Sequence, residues 1–280
     1  MRTAVVTGAT GGIGLETARE LARQGFHVVL LARSPAKADA ARIEIEGDVG
    51  EASLDVVLAD LSLQSEVRRA AAELEDRLER LDVLVNNAGI QVRTREMTAE
   101  GHEVMLATNH LAPFLLTGLL APLLRKSAPA RIVNVASDAH RFARKLRLDD
   151  IQATRGYGLL GMPRYGETKL MNILFTRELA RRLDGTGVTA NAVHPGAVAT
   201  GLGAPPKLIA GISGRVLRSP AQGAATSVVV ATDPALAGTT GGYFANAKRA
   251  EKKLTKQAKD DDLARRLWTL SEELTEFAWS

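Results

Sequence analysis

Cysteine is absent from the 280 residues, which excludes disulfides, thiolate-bound metals and cysteine nucleophiles. No apolar run approaches the ~20 residues that a membrane span requires. Residues 1–7 lead directly into an apolar strand pattern, without the charged and then apolar segments of an export signal. These absences predict a soluble, cytoplasmic protein with no transmembrane segment. Repeats at solenoid periods are missing as well. Neither sign of charge dominates, since 36 Lys and Arg stand against 32 Asp and Glu. The densest basic stretch carries Lys248, Arg249, Lys252, Lys253, Lys256 and Lys259 but no aromatic residue. It reads as a solvated helical face rather than a nucleic-acid surface. Asp149, Asp150 and the run Asp260-Asp261-Asp262 lack companion His or Cys ligands, so no metal is expected.

What is present is the composition of an ordinary globular protein, 45% hydrophobic and 24% charged. Short β-branched runs at 3–7, 28–32, 54–58, 83–86, 131–136 and 188–194 alternate with amphipathic stretches near 12–24, 35–46, 63–80, 99–124 and 166–184. That is a βαβ rhythm, and it predicts a single-domain, doubly wound (Rossmann-type) α/β fold with a parallel sheet and helices on both faces. Ligands of such sheets sit at the carboxyl ends of the strands. The domain is expected to run over 1–280, with a substrate loop at about 197–220 and a C-terminal helical extension at about 248–280. Ser34-Pro35 offers an N-cap and a first-turn proline, and Gly25 follows the first helix. Pro113 and Pro122 fall inside the 99–124 stretch and are expected to kink or break it.

Three places carry chemistry. The first strand runs into Thr7-Gly8-Ala9-Thr10-Gly11-Gly12-Ile13-Gly14. Its glycines allow a tight turn and close approach to a pyrophosphate, which the following helix N-terminus would attract. The second strand ends in Ala32-Arg33-Ser34. A site selective for NAD places an acidic residue there, whereas a forked cation beside a hydroxyl suits a 2′-phosphate. Tyr165 and Lys169 are four residues apart, hence on one helical face. A nearby cation favours the phenolate, so the spacing predicts a tyrosine able to pass a proton near neutral pH.

Together with marks in the other elements, these motifs resemble the short-chain dehydrogenase/reductase family over residues 3 to about 245. Asp60-Leu61 is similar to the family's adenine-contacting position, and Asn86-Asn87-Ala88-Gly89 to its Asn-Asn-Ala-Gly motif. Asn109 matches the helical asparagine, Ser137 the serine ending the fifth strand, and Tyr165 with Lys169 the Tyr-x3-Lys pair. Pro195-Gly196, with Val198 and Thr200 after it, matches the segment covering the nicotinamide. Within the family, Thr108-Asn109-His110-Leu111-Ala112-Pro113-Phe114 and Ser137-Asp138-Ala139-His140 are similar to the retinol-dehydrogenase-like branch. The apolar N-terminal anchor of the microsomal members is not expected here.

The resemblance implies an NADP(H)-dependent oxidoreductase acting between a carbonyl and an alcohol. Tyr165 would be the acid/base, Lys169 its tuner and ribose contact, Ser137 the support for the substrate oxygen, and Asn109 part of a proton relay. Gly8, Thr10, Gly12, Ile13, Gly14, Arg33, Ser34, Asp60, Leu61, Asn87, Ala88 and Gly89 would hold the dinucleotide. Leu202, Pro205, Pro206, Leu208, Ile209 and Ile212 suggest an apolar substrate. NADP(H) is expected to be preferred over NAD(H). A homo-oligomer is the family expectation, and the competing reading is a cofactor-binding sensor or scaffold without turnover. Asp138, His140 and His194 read as local caps or loop contacts with no assigned role.

Overall fold

The short β-branched runs pair edge to edge. In the computed structural model, which describes residues 1–143, 145–198 and 218–279, β1 (Thr3–Thr7) lies between β2 (His27–Ala32) and β4 (Val83–Asn86). Val5 stands opposite Val29 on one side and Leu84 on the other, all parallel. β3 (Ser53–Leu58), β5 (Ala130–Val135), β6 (Val188–His194), β7 (Tyr243–Ala245) and β8 (Lys248–Arg249) complete the order β3-β2-β1-β4-β5-β6-β7-β8. Only the final pair, β7 with β8, is antiparallel among the described strands. The chain winds outward from β1 to β3 and then returns to β4 beside β1. That reversal opens a crevice at the carboxyl ends of β1 and β4.

Helices α1 (Gly12–Arg23) and α2 (Pro35–Val49) cover one face. α3 (Gln64–Arg77) lies on the other, with α4 (Val104–Leu106), the π-helical turn Ala107–Leu111, α5 (Ala112–Leu119), α6 (Ala121–Lys126) and α7 (Met162–Arg182). Pro113 and Pro122 stand in the first turns of α5 and α6: before Pro113 the chain widens into the π-helical turn while staying helical, and before Pro122 it breaks at Leu120, where ψ is −1°. The 99–103 part of that stretch is not helical, because Met97 bridges Glu103 in a tight turn and helix begins only at Val104. Pro35 opens α2, but the Ser34 hydroxyl makes no capping bond.

Two elements escaped the sequence reading. α8 (Pro220–Thr232) starts at a capping box of Ser219 and Gln222 and joins α1 on its face of the sheet. The second is β7. The helical face expected over 248–259 is absent: Lys248 and Arg249 form β8, and two 3-10 turns, Glu251–Lys253 and Gln257–Lys259, follow. Pairing with β7 takes up the chain there, so regular helix begins only with α9 (Asp261–Thr275). Of the loop expected at 197–220, Ala197, Val198 and 218–220 are described, with Val198 bridging Arg218. Thr200 and the apolar positions from Leu202 to Ile212 lie outside the described residues. Among the described residues no helix is long and apolar enough to cross a membrane.

The core beneath α3, α5 and α7 includes Val5 from the first strand and Trp268 from α9. Phe277 and Trp279 pack against it so closely that a Cβ on Gly118 would lie 2.3 Å from the Phe277 ring. Gln64 Nε2 donates to the Leu274 carbonyl at 2.8 Å, and Arg68 to that of Thr275 at 2.6 Å.

Candidate active site

A cavity of about 670 Å³ opens at the carboxyl ends of β1, β4, β5 and β6. Its floor is the glycine-rich turn. Gly8 has φ +65°, and its N–H donates to the Leu31 carbonyl, turning the chain from β1 toward α1. A Cβ on Gly14 would lie 2.2 Å from the Gly8 carbonyl oxygen and 2.5 Å from Asn87 Nδ2, so only glycine allows this approach. A Cβ on Gly11 would meet nothing within 4 Å, and no side chain caps α1. The first N–H groups of a 12-residue helix therefore face open space, a site ready for an anion. Thr10, Gly12 and Ile13 line the same space.

Asn87 and Ala88 brace this turn from the end of β4. Their N–H groups both donate to Thr7 Oγ1 at 2.9 Å, and Asn87 Nδ2 donates to the Thr7 carbonyl at 2.8 Å. On the flank stand Arg33, Ser34, Asp60 and Leu61. The Arg33 side chain is 75% exposed, with Asp60 Oδ2 at 3.7 Å, and Asp60 Oδ1 accepts from the Ser62 N–H. Lys37, in the first turn of α2, lines the same wall and was missed in the sequence. Its position after a proline-led helix start was the available signal. The glycine cradle, the open helix terminus and this basic flank fit a dinucleotide.

At the other end of the cavity α7 presents Tyr165 and Lys169, beside Ser137 at the exit of β5. Lys169 is buried, and its Nζ donates to the Val135 carbonyl at 2.9 Å. Gly89 leaves room for it: a Cβ there would lie 3.4 Å from that Nζ and 3.3 Å from Asn109 Oδ1. Lys169 Nζ stands 5.6 Å from the Tyr165 ring centre. The expected lowering of the tyrosine by this cation does not prevail. Burial pushes the Tyr165 phenol up to about 12 and Lys169 down to about 8, because desolvation acts on each charged form. The phenol is therefore fully protonated at neutral pH.

Ser137 Oγ accepts from the Ala139 N–H at 3.1 Å, which leaves its own O–H available to donate. Asn109 lies in the π-helical turn and is completely buried. It stands behind the cavity wall. Its amide exchanges two hydrogen bonds with the Ile90 backbone, at 2.8 and 2.9 Å, and donates to Thr168 Oγ1 at 3.0 Å. Asn109 thereby ties the end of β4 to the helix bearing Tyr165. Pro195, Gly196 and Val198 line the remaining side. Gly196 has φ +92°, and a Cβ there would press on Arg218 at 2.7 Å.

A buried ion pair supports this arrangement. Glu103, completely buried, accepts from the N–H groups of Met105 and Leu106 and receives Arg164 Nε at 2.8 Å. Arg164 also donates to the Ile151 carbonyl and Glu167, while Tyr157 Oη donates to Glu103. The residue preceding Tyr165 is thus locked to the start of α4. Nothing in sequence spacing pairs positions 103 and 164.

A parallel sheet reversing at β1 and β4, a glycine cradle for a dinucleotide and a Tyr-x3-Lys helix beside a strand-end serine define the class as a nucleotide-dependent oxidoreductase. A family model described as short chain dehydrogenase matches residues 2–147. Retinol dehydrogenase 12 of Mus musculus is 40% identical over 99% of this chain and 87% of its own length. Retinol dehydrogenase 14 of Homo sapiens is 38% identical over 97% and 85%. Among solved structures, a protein of Mycobacterium Paratuberculosis described only as uncharacterized aligns with TM-score 0.82 and 33% identity, over 100% of this chain and 95% of that one. The Pseudomonas aeruginosa RhlG/NADP active-site complex aligns with TM-score 0.68 and 26% identity, over 87% and 94%. The chain belongs to the short-chain dehydrogenase family, in its retinol-dehydrogenase-like branch, and is an NAD(P)-dependent oxidoreductase acting between an alcohol and a carbonyl.

Proposed function

We propose that this protein is an NADP(H)-dependent reductase of an apolar aldehyde or ketone, or the corresponding alcohol dehydrogenase, with Tyr165 as its acid/base. The observation that carries the reading is the meeting of Ser137, Tyr165 and Lys169 at one end of the cavity whose other end is the glycine cradle. A nicotinamide dinucleotide held by the glycine cradle and the N-terminus of α1 would supply a hydride for the carbonyl carbon. Ser137 then donates its O–H to the substrate oxygen and stabilises the charge gathering there. Tyr165, protonated at neutral pH, delivers the proton that completes the alcohol. Lys169 keeps a cation behind the phenol as it loses that proton, and Asn109 holds α7 against the end of β4. Arg33, Ser34 and Lys37 are the groups for a 2′-phosphate, and the absence of an acidic residue at position 32 favours the same choice. An apolar substrate is supported by the relatives named retinol dehydrogenases.

The test is NADPH absorbance with a panel of aldehydes, ketones and quinones that includes retinal. Turnover with apolar carbonyls is expected, and Tyr165→Phe should reduce it by about two orders of magnitude or more while cofactor binding persists. Full turnover by Tyr165→Phe would show that the proton comes from elsewhere.

A further inference from the structure

The last rung between β5 and β6 is the Ala136 N–H to the Val193 carbonyl, at 2.9 Å. Beyond it the next inward donor, the Asp138 N–H, finds a side chain instead: it donates to His194 Nδ1 at 3.1 Å. Ser137 precedes Asp138, and Pro195 and Gly196 follow His194. Ser137, Pro195 and Gly196 all line the cavity, from opposite sides of the same gap between strand ends. The spacing of these two exits sets how far a carbonyl held at Ser137 stands from a ring held against Pro195 and Gly196.

The imidazole is itself held. Asp138 Oδ2 lies 3.5 Å from His194 Nε2 and 3.7 Å from Lys253 Nζ, and Asp138 Oδ1 accepts from Tyr243 Oη at 2.8 Å. His140 reaches back from the same turn, its Nδ1–H donating to the Ser137 carbonyl at 2.8 Å. The carboxylate attracts a proton on Nε2, which leaves Nδ1 free to accept. Burial favours the same neutral ring by depressing His194 to about 4. A protonated ring would set an N–H against the Asp138 N–H and open the bond.

We infer that His194 is a positioning residue for the reaction: by accepting the Asp138 N–H it clasps the strand exit carrying Ser137 to the exit carrying Pro195 and Gly196. The inference rests on the proposed role of Ser137. It does not involve the glycine cradle or Arg33 at the far end of the cavity, so cofactor affinity and turnover should separate.

Variants of the full chain test it, with kcat, NADPH Kd and thermal melting measured on each. His194→Leu removes the acceptor. Misplacement of reacting groups by an ångström costs up to ~100-fold, so kcat should fall by about tenfold or more with NADPH Kd within about twofold of the parent. His194→Asn places an amide oxygen near the Nδ1 position and should restore kcat to within about threefold. If His194→Leu does not fold, His194→Gln replaces it: its amide extends past the Nδ1 position, and its kcat should fall at least about fivefold below that of His194→Asn. Near-parental kcat for the variant lacking the acceptor, or an Asn variant no better than it, would overturn the clasp. Ser137→Ala serves as the control. Near-parental activity there would overturn the role of Ser137 itself, whereas an inactive Ser137→Ala beside an active His194→Leu would overturn the clasp alone.

Discussion

Removing the Arg33 guanidinium should cost the protein its preference for a phosphorylated dinucleotide and little else. A hydrogen bond to a charged group contributes roughly 1.5–3 kcal/mol. Two features of the structure place Arg33 at the low end of that range. Its side chain is 75% exposed, so water competes for the fork, and the Asp60 carboxylate lies 3.7 Å away as an alternative partner. At ~1.4 kcal/mol per factor of ten, Arg33→Ala should weaken NADPH binding by about tenfold. NADH, which has no 2′-phosphate, should bind as before. Lys37 lines the same wall and should retain part of the preference, so adding Lys37→Ala is expected to cost a further severalfold. Because both groups face solvent, the gap between the cofactors should narrow as salt shortens the Debye length from about 10 Å at 0.1 M. Fluorescence titration of both cofactors at two ionic strengths measures all of this. Equal parental affinity for NADH and NADPH, or equal weakening of both by Arg33→Ala, would refute the reasoning.

Gly14→Ala should be poorly tolerated, since its Cβ would lie 2.2 Å from the Gly8 oxygen. Overpacking of this kind costs about 1–3 kcal/mol, and both the melting temperature and NADPH affinity should drop; a variant that binds normally would contradict the cradle. Arg164→Met leaves the Glu103 carboxylate without its buried partner and should destabilise by about 3–5 kcal/mol in urea unfolding, with Glu103→Gln recovering much of that loss in the double variant. Acid should weaken the fold through two histidines kept neutral by burial, His110 at about 3 and His194 at about 4. Below 6.5 the unfolded chain takes up these protons first, so stability falls with pH until the folded values are reached. Between pH 7 and 5 the two together should remove on the order of 4 kcal/mol. Unfolding free energies unchanged over that range would dismiss the account.

The six longer strands and most helices were legible because each strand is a short β-branched run and each helix begins or ends at a recognisable signal. Pro35, Pro113 and Pro122 all mark first turns. α8 was overlooked because Ala224, Ala225, Thr226, Ser227 and Val228 present no strong polar face, and β7 because three residues carry no periodicity. The basic stretch after Tyr243 was misread for a different reason: its charges suit a solvated helix, but the neighbouring strand supplies a ladder that local pattern does not reveal. Of the four residues proposed for catalysis, Tyr165 and Lys169 were visible through their spacing, and Asn109 and Ser137 through the family resemblance. Two physical facts about them were not, since burial is a property of the whole packing. One is that desolvation outweighs the lysine in setting the Tyr165 proton affinity. The other is that Asn109 spends its amide on Ile90 and Thr168. Glu103, Arg164 and His194 form long-range contacts and left no mark in the sequence beyond their own identity, whereas Lys37 was betrayed only by its place in a proline-led first turn.

The sharing of one core by Val5 and Trp268 has a consequence for how the chain is made. Chains leave the ribosome at about 5–20 residues per second, so tens of seconds separate the emergence of these two side chains. Once α7 has emerged, α3, α5 and α7 can gather on the sheet, but Trp268, Phe277 and Trp279, which pack into and against their shared core, have not yet been synthesised. A nascent chain stalled before α9 would therefore show an oily flank to chaperones and to its polysome neighbours. Only the arrival of Trp268, Phe277 and Trp279 seals that flank.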